Sequence, residues 1–174
     1  MDYSKYIGVT PDFPTAGISF KDVSPLCADP VAFKNAIDDL AKMGEKYHPD
    51  VIIGPEARGF LFGSALAYKM GLGFIMARKA GKLPGKTYSI EYSLEYGKAK
   101  IEVPACALKK GQRVLLVDDL LATGGFLKAL GGIIRGGGAP PIGGLTIINL
   151  KEIEGWKKLD FPCECLVELS ALHA

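Results

Sequence analysis

Val114-Leu115-Leu116-Val117 is a short, wholly apolar run, and two carboxylates, Asp118 and Asp119, follow it without a break. Such a run fits a strand buried on both faces of a parallel sheet. Thr123-Gly124-Gly125 then makes a turn, after which Phe126, Leu127, Leu130, Ile133 and Ile134 mark a helix. A strand, a glycine turn and a helix in that order, where they recur along a chain, argue for a parallel sheet covered by helices on both faces.

The rest of the chain repeats this alternation. Asp29-Pro30 reads as an N-cap followed by proline at the first helical position. Phe33, Ala36, Ile37, Leu40, Ala41, Gly44 and Tyr47 then share one helical face, and His48-Pro49-Asp50 ends that helix. Val51-Ile52-Ile53 is a buried strand, a helix runs from about Gly59 to Met70, and Gly73 to Ala77 is another strand. Leu145 to Leu150 and Cys165 to Leu169 supply later strands. Residues 79 to 103 differ. Ala80-Gly81-Lys82-Leu83-Pro84-Gly85 is loop chemistry, and Tyr88 to Val103 alternates polar and apolar residues around Gly97 like an exposed hairpin. YSIEYSLEY is too polar for core, so this stretch is expected to be a mobile excursion from the fold.

A chain of 174 residues with no linker or long repeat is expected to form a single domain over residues 1–174. Net charge is only +2, which argues against a nucleic-acid partner. No apolar run approaches the roughly 20 residues of a membrane helix, and the N-terminal MDYSKYIGVTPDFP has no signal-peptide core. A cytoplasmic protein without a membrane partner is the expectation. The four cysteines form no CxxC pair, and His48 and His173 are the only histidines, so neither a zinc cluster nor a Cys-His nucleophile is supported.

In open α/β sheets, ligands bind beyond the carboxyl ends of the strands. Three suggestive segments lie there: Glu56-Ala57-Arg58-Gly59, Arg78-Lys79, and Asp118 to Gly125. The last combines carboxylates, which accept from hydroxyls, with a glycine turn whose N–H groups and helix dipole favour an anion. A sugar phosphate meets both demands. The competing reading is a tight strand-helix turn with solvated acids.

VDDLLATGGF resembles the PRPP-binding motif of type I phosphoribosyltransferases (PRPP is 5-phosphoribosyl 1-diphosphate). FPTAGISFKDVSP, GPEARGFLFG, RKAGKLPG and YSLEYGKA resemble segments of the adenine phosphoribosyltransferases in that family, in the same order and at similar spacing. Together they span roughly residues 11 to 127, and the C-terminal third matches more weakly. The resemblance implies the type I phosphoribosyltransferase fold: a five-stranded parallel sheet flanked by helices, a small hood over about residues 1–30, and a mobile catalytic loop over about 79–103. It implies a pentosyl-transferring glycosyltransferase of purine salvage, which makes AMP and pyrophosphate from adenine and PRPP. Mg2+ would be carried in mainly by PRPP rather than by protein ligands, and the assembly would be a homodimer.

The resemblance also assigns roles. Asp118 and Asp119 match the pair that holds the ribose hydroxyls, and Ala122, Thr123, Gly124, Gly125 and Phe126 match the 5'-phosphate loop. Relatives usually carry threonine or serine where Phe126 stands, so one hydroxyl donor is missing here. Arg58 matches a pyrophosphate-gripping arginine in a loop where a non-proline cis peptide is common. Arg78, Lys79 and Lys82 match basic residues that reach the diphosphate. Ile18, Ser19, Phe20 and Lys21 match the adenine site, with Phe20 the stacking residue and Leu120 closing the other face of the base. Periodicity alone does not choose between Glu91 and Glu95 as the acid-base group. The resemblance chooses Glu95, with Tyr96 beside it, for the proton on adenine N7.

Rival readings are a phosphoribosyltransferase for 6-oxopurines or orotate, a PRPP-sensing regulator, and a dinucleotide oxidoreductase. Enzymes for 6-oxopurines usually have an aspartate base where Ala122 stands, and orotate enzymes lack the glycine pair. Intact Arg58, Arg78, Lys79 and Glu95 argue against a regulator that has lost catalysis, and there is no GxGxxG after a strand.

Overall fold

The structure, a computed structural model, describes residues 1–94 and 97–172. A 3-10 turn over Tyr3–Tyr6 leads into β1 (Gly8–Thr10) and β2 (Phe20–Asp22), which pair antiparallel as a separate ribbon, and then into α1 (Ser24–Ala28). Helix α2 (Pro30–Glu45) starts where the sequence places it. The Asp29 carboxylate accepts from the N–H groups of Val31 and Ala32 at 3.0 and 2.8 Å and satisfies two donors that the first turn leaves free. The helix ends before Tyr47. Tyr47 and His48 donate back to Gly44 and Glu45 in tightened turns, and His48 adopts φ 51.

The remaining elements are β3 (Val51–Pro55), α3 (Arg58–Met70), β4 (Gly73–Lys79), β5 (Thr87–Leu94), β6 (Gly97–Pro104), β7 (Val114–Leu121), α4 (Gly125–Gly136), β8 (Pro141–Leu150) and β9 (Cys163–Leu169). The main sheet has the order β5-β6-β4-β3-β7-β8-β9. Strands β4, β3, β7, β8 and β9 form the expected five-stranded parallel sheet. The hairpin β5-β6 brings the total to seven strands, because β6 pairs antiparallel with the last two residues of β4, Arg78 with Glu102 and Lys79 with Ile101.

Alternation along β7 divides the core. Leu115 and Val117 pack with Leu40, Phe62 and Leu66 on the face covered by α2 and α3. Val114 and Leu116 pack with Leu130 and Ile134 of α4 on the other. Strand β7 outlasts its apolar run: Asp118, Leu120 and Leu121 remain in register with Thr146, Ile148 and Asn149 of β8. The run marks only the part buried on both faces, whereas the ladder continues to the site. YSIEYSLEY is also less solvated than its composition suggests, since Tyr88, Ile90 and Tyr92 pack on the second core. Every second side chain of β5 turns inward and the intervening polar ones turn out.

Among the described residues, no helix is long and apolar enough to cross a membrane. The four cysteines are free thiols.

Phe62 is fully buried between α3 and the sheet. Phe62→Ala should cost about 3–5 kcal/mol through lost burial and the cavity left behind. Val31→Ala, at a position 60% exposed, should stay within about 0.5 kcal/mol. Urea denaturation of both variants checks the pair.

Candidate active site

The three strand-end segments converge, but not equally. After β3 the chain passes through a cis Glu56–Ala57 peptide and enters α3 at Arg58. Gly59 lets the helix start this close to the sheet: a Cβ there would stand 2.5 Å from Pro55 Cδ and 3.2 Å from Asp118 Oδ1. Arg58 Nε therefore reaches 2.9 Å from Asp119 Oδ2, an ion pair without an aligned hydrogen bond. The guanidinium carbon also lies 5.2 Å from the centroid of the Phe20 ring, a cation–π distance. Arg58 thus ties α3 to β7 and to the N-terminal ribbon.

Asp119 is almost fully buried, and its N–H donates to Asp118 Oδ1 at 2.8 Å. Burial and the charge of Asp119 hold the Asp118 carboxyl well above its ordinary value, with Arg58 only partly offsetting them. Arg58, Asp118 and Asp119 line a cleft of about 420 Å³ with Pro55, Glu56 and Phe126. Beside it lies a smaller hollow of about 120 Å³ formed by Leu120, Ala122, Thr123, Gly124 and their neighbours, and Phe126 borders both. A cation, two carboxylates and a helix N-terminus within adjoining hollows suit a ligand with hydroxyls between two anionic ends.

The loop from Ala122 to Phe126 has support from an unexpected element. Gly124 sits in the left-handed region at φ 81 as the N-cap of α4. A Cβ on it would meet the Gly155 carbonyl oxygen at 2.3 Å, and one on Gly155 would meet the Ala122 oxygen at 2.0 Å. Two glycines thus let the backbones of residues 122–124 and 155 touch. No periodic or motif signal marks Gly155, which lies in the 3-10 turn Gly155–Lys158. Phe126 directs its ring at Tyr92, with centroids 5.4 Å apart and planes at 80°.

Arg78, Lys79 and Lys82 do not line the Arg58 cleft. They are organised around Glu56. Its carboxylate accepts from the Lys79 N–H at 2.7 Å and lies 3.4 Å from Arg78 Nη2. These contacts, led by the Lys79 N–H, hold the Glu56 carboxyl below the usual range. Arg78 Nη1 donates to the Lys82 carbonyl at 3.4 Å, while the side chains of Lys79 and Lys82 are solvent-exposed. The sequence contains Glu56 within GPEARG but does not reveal that it joins the ends of β3 and β4.

In the expected base segment, Phe20 packs edge-on against Phe13 at 5.2 Å and beneath Arg58. Ser19 and Lys21 are buried and bond each other, Nζ to Oγ, at 2.8 Å. Desolvation lowers the Lys21 ammonium, and Glu152 opposes that shift. Ile18 is half-exposed, and its carbonyl accepts from the Phe13 N–H at 3.2 Å. Leu120 is half-buried against the first core. Glu95 and Tyr96 lie outside the described residues. A larger cleft, about 550 Å³, runs along β9 but has no lysine or arginine in its lining, so volume alone does not mark the site.

Residues 29–170 match the phosphoribosyl transferase domain family. An adenine phosphoribosyltransferase from Desulfitobacterium hafniense is 49% identical over 160 residues, covering 92% of each chain. The chain belongs to the adenine phosphoribosyltransferase family. Another family member, from Oenococcus oeni, is 46% identical over 172 residues, covering 97% of this chain and 98% of that one. Among solved structures, the Thermoanaerobacter pseudethanolicus adenine phosphoribosyltransferase superposes with a TM-score of 0.93 at 44% identity, covering 97% and 98% of the two chains. The Saccharomyces cerevisiae adenine phosphoribosyltransferase, complexed with an imino-altritol bisphosphate and adenine, gives 0.92 at 35% identity, covering 95% and 97%.

The raised Asp118 carboxyl fixes a pH dependence in this family member. Folding lifts it above 3.8, so folding takes up a proton there. That contribution is complete below pH 3.8 and is lost as pH rises through the raised value. Asp118→Asn should remove this slope and raise Tm at neutral pH, while slowing the reaction about a hundredfold. Thermal melts between about pH 4 and 8, with activity assays beside them, check both signs.

Proposed function

We propose that this chain forms AMP and pyrophosphate from adenine and PRPP. The observation that carries the reading is the Asp118-Asp119 pair, set between Arg58 and the N-terminus of α4 in a chain with the family's relatives along nearly its whole length. In this reading, Asp118 and Asp119 accept from the ribose hydroxyls. The loop from Ala122 to Phe126 takes the 5'-phosphate on backbone N–H groups at the positive end of the helix. Arg58 faces the diphosphate, with Arg78, Lys79 and Lys82 on the approach to it.

The reaction is substitution at the anomeric carbon. The bond to the diphosphate oxygen breaks, adenine supplies the new bond through nitrogen, and positive charge grows on the ribose ring. The carboxylates favour that charge, and Arg58 favours the departing anion. Glu95 handles the adenine N7 proton, with Tyr96 beside it. Phe20 and Leu120 bracket the base, while Ile18, Ser19 and Lys21 set its edge through backbone groups. The hairpin segment closes over the reactants and excludes water.

Among the described residues, no group of three or more His, Cys, Asp or Glu is placed to hold a metal. Mg2+ would be carried in mainly by PRPP, with the Asp118 and Asp119 oxygens as hard donors beside it. Such an ion would supply charge neutralisation for the leaving diphosphate. A homodimer would cover exposed apolar side chains such as Leu61 and Tyr68 of α3 and Met76 of β4. Four free cysteines suit a reducing cytoplasm.

The same reading predicts base selectivity. A pocket matched to the adenine amine leaves buried groups unpaired against a 6-oxo base, so hypoxanthine and guanine should be converted at least 100-fold more slowly, about the gap that 3 kcal/mol produces. Chromatography of the nucleotide formed from each base with PRPP and Mg2+ decides this, and inosine monophosphate at a comparable rate would overturn the reading.

Glu95→Gln should lower kcat by about a hundredfold with little change in PRPP binding. Glu91→Gln should do far less, since Glu91 is exposed and faces Lys98. Steady-state kinetics of the two variants separates them, and the reverse order would reassign the proton carrier.

A further inference from the structure

Strand β5 runs down α4 in steps of two residues. Tyr88 Cε2 lies 3.2 Å from where a Gly137 Cβ would stand, and Ile90 Cδ1 lies 3.1 Å from where one on Gly132 would stand. The last step, Tyr92, meets Phe126 at the start of the helix. The small residues let the strand press against the helix, and the alternation of β5 delivers each inward side chain to it. Both rings of the final pair are half-buried. Phe126 also borders the Arg58 cleft and the adjoining hollow, whereas Tyr92 lines neither. Two residues after Tyr92 the described strand ends at Leu94, so the next residue in the chain is Glu95.

We propose that Tyr92 and Phe126 form an aromatic latch that fixes the hairpin arm to the phosphate loop. Both act as positioning residues, setting where the described end of β5, at Leu94, stands relative to the bound ribose phosphate. This rests on the assignment of Glu95 as the proton carrier. The edge-to-face pair joins β5 to the start of α4, and among the described residues the arm's ladder link to the rest of the sheet is the short β4–β6 pairing at Arg78 and Lys79. The β5–β6 ladder reaches Leu94 and Gly97, but the bonds that tie the hairpin to the end of β4 are made at residues 100–102, through Arg78 to Gly81, so the ring pair holds the strand end at a point those bonds do not reach. A substitution at Tyr92 therefore reaches the chemistry without touching the ligand pockets, and its effect falls on turnover rather than on PRPP binding.

The test is steady-state kinetics with AMP titration on Tyr92→Ala, Tyr92→Phe, Phe126→Leu and the double variant Tyr92→Ala/Phe126→Leu. Loss of one aromatic pair should reduce kcat about three- to tenfold. For Tyr92→Ala, the KM for PRPP and the Kd for AMP should stay within about twofold, because the loss falls in the transition state alone. Tyr92→Phe keeps the ring and should retain wild-type kcat. The double variant should be no slower than the slower single variant, since the two side chains serve one contact. If Tyr92→Ala does not fold, Tyr92→Leu, which keeps apolar burial without a ring, is read by the same criteria.

Normal kcat in a folded Tyr92→Ala or Tyr92→Leu protein overturns the latch. So does a Tyr92→Phe loss equal to that of Tyr92→Ala, or multiplied losses in the double variant. Glu95→Gln separates this from the reading beneath it. If Glu95→Gln turns over normally while the Tyr92 and Phe126 losses persist, the proton assignment fails and the latch positions something else. If Glu95→Gln is slow and Tyr92→Ala is not, the latch alone fails.

Discussion

The contact between Arg58 and Asp119 is the constraint around which the site is arranged. A carboxylate as enclosed as Asp119 costs several kcal/mol unless a cation or donors answer it, and the only way to bring Arg58 there is to start α3 almost against the sheet. Glycine at position 59 permits that start, where any side chain would collide with Pro55. Once in place, the guanidinium also lies over Phe20. One side chain therefore fixes the first turn of α3, the end of β7 and the N-terminal ribbon in relation to each other. Arg58 remains partly exposed, so water screens the pair and leaves room for it to face an anionic ligand.

The same region stores free energy that a more stable protein would release. Asp118 is held partly buried beside a second carboxylate, which disfavours its charge in the free protein. A ribose, whose hydroxyls donate, and an anomeric carbon that becomes positive would both favour that charge. Destabilisation of the empty site and stabilisation of the loaded one have a common electrostatic source. The contact of residues 122–124 with Gly155 works alongside it. Backbone packed on backbone leaves the loop of residues 122–124 little freedom.

The hairpin shows how a polar segment can still be an ordered part of the fold. Its inward residues are aromatic or branched, its outward ones are serine and glutamate, and α4 supplies a surface of small residues on which the inward set can rest. Composition averages the two faces and reports only solvated polarity. The physical information lies in the alternation and in the partner helix, which is distant in sequence.

Much of the fold was legible in the sequence because the signals are local. Asp29-Pro30 announces α2 by capping chemistry, Val114 to Val117 announces β7 by burial on both faces, and Gly124-Gly125 announces the turn by backbone permissiveness. The strand-end positions of Glu56 to Gly59, Arg78-Lys79 and Asp118 to Gly125 followed from these. What the tertiary structure decided is how those ends meet. It carried β7 past its apolar run along β8, joined the hairpin to β4, turned Arg78 and the Lys79 N–H toward Glu56 rather than into the Arg58 cleft, and set Gly155 against the loop of residues 122–124. Each is a contact between segments whose separation along the chain leaves no periodic trace. Helix and strand patterns are written by the water-avoidance of neighbouring side chains, whereas the partners of a particular carboxylate or glycine are fixed only when the sheet brings distant backbones together.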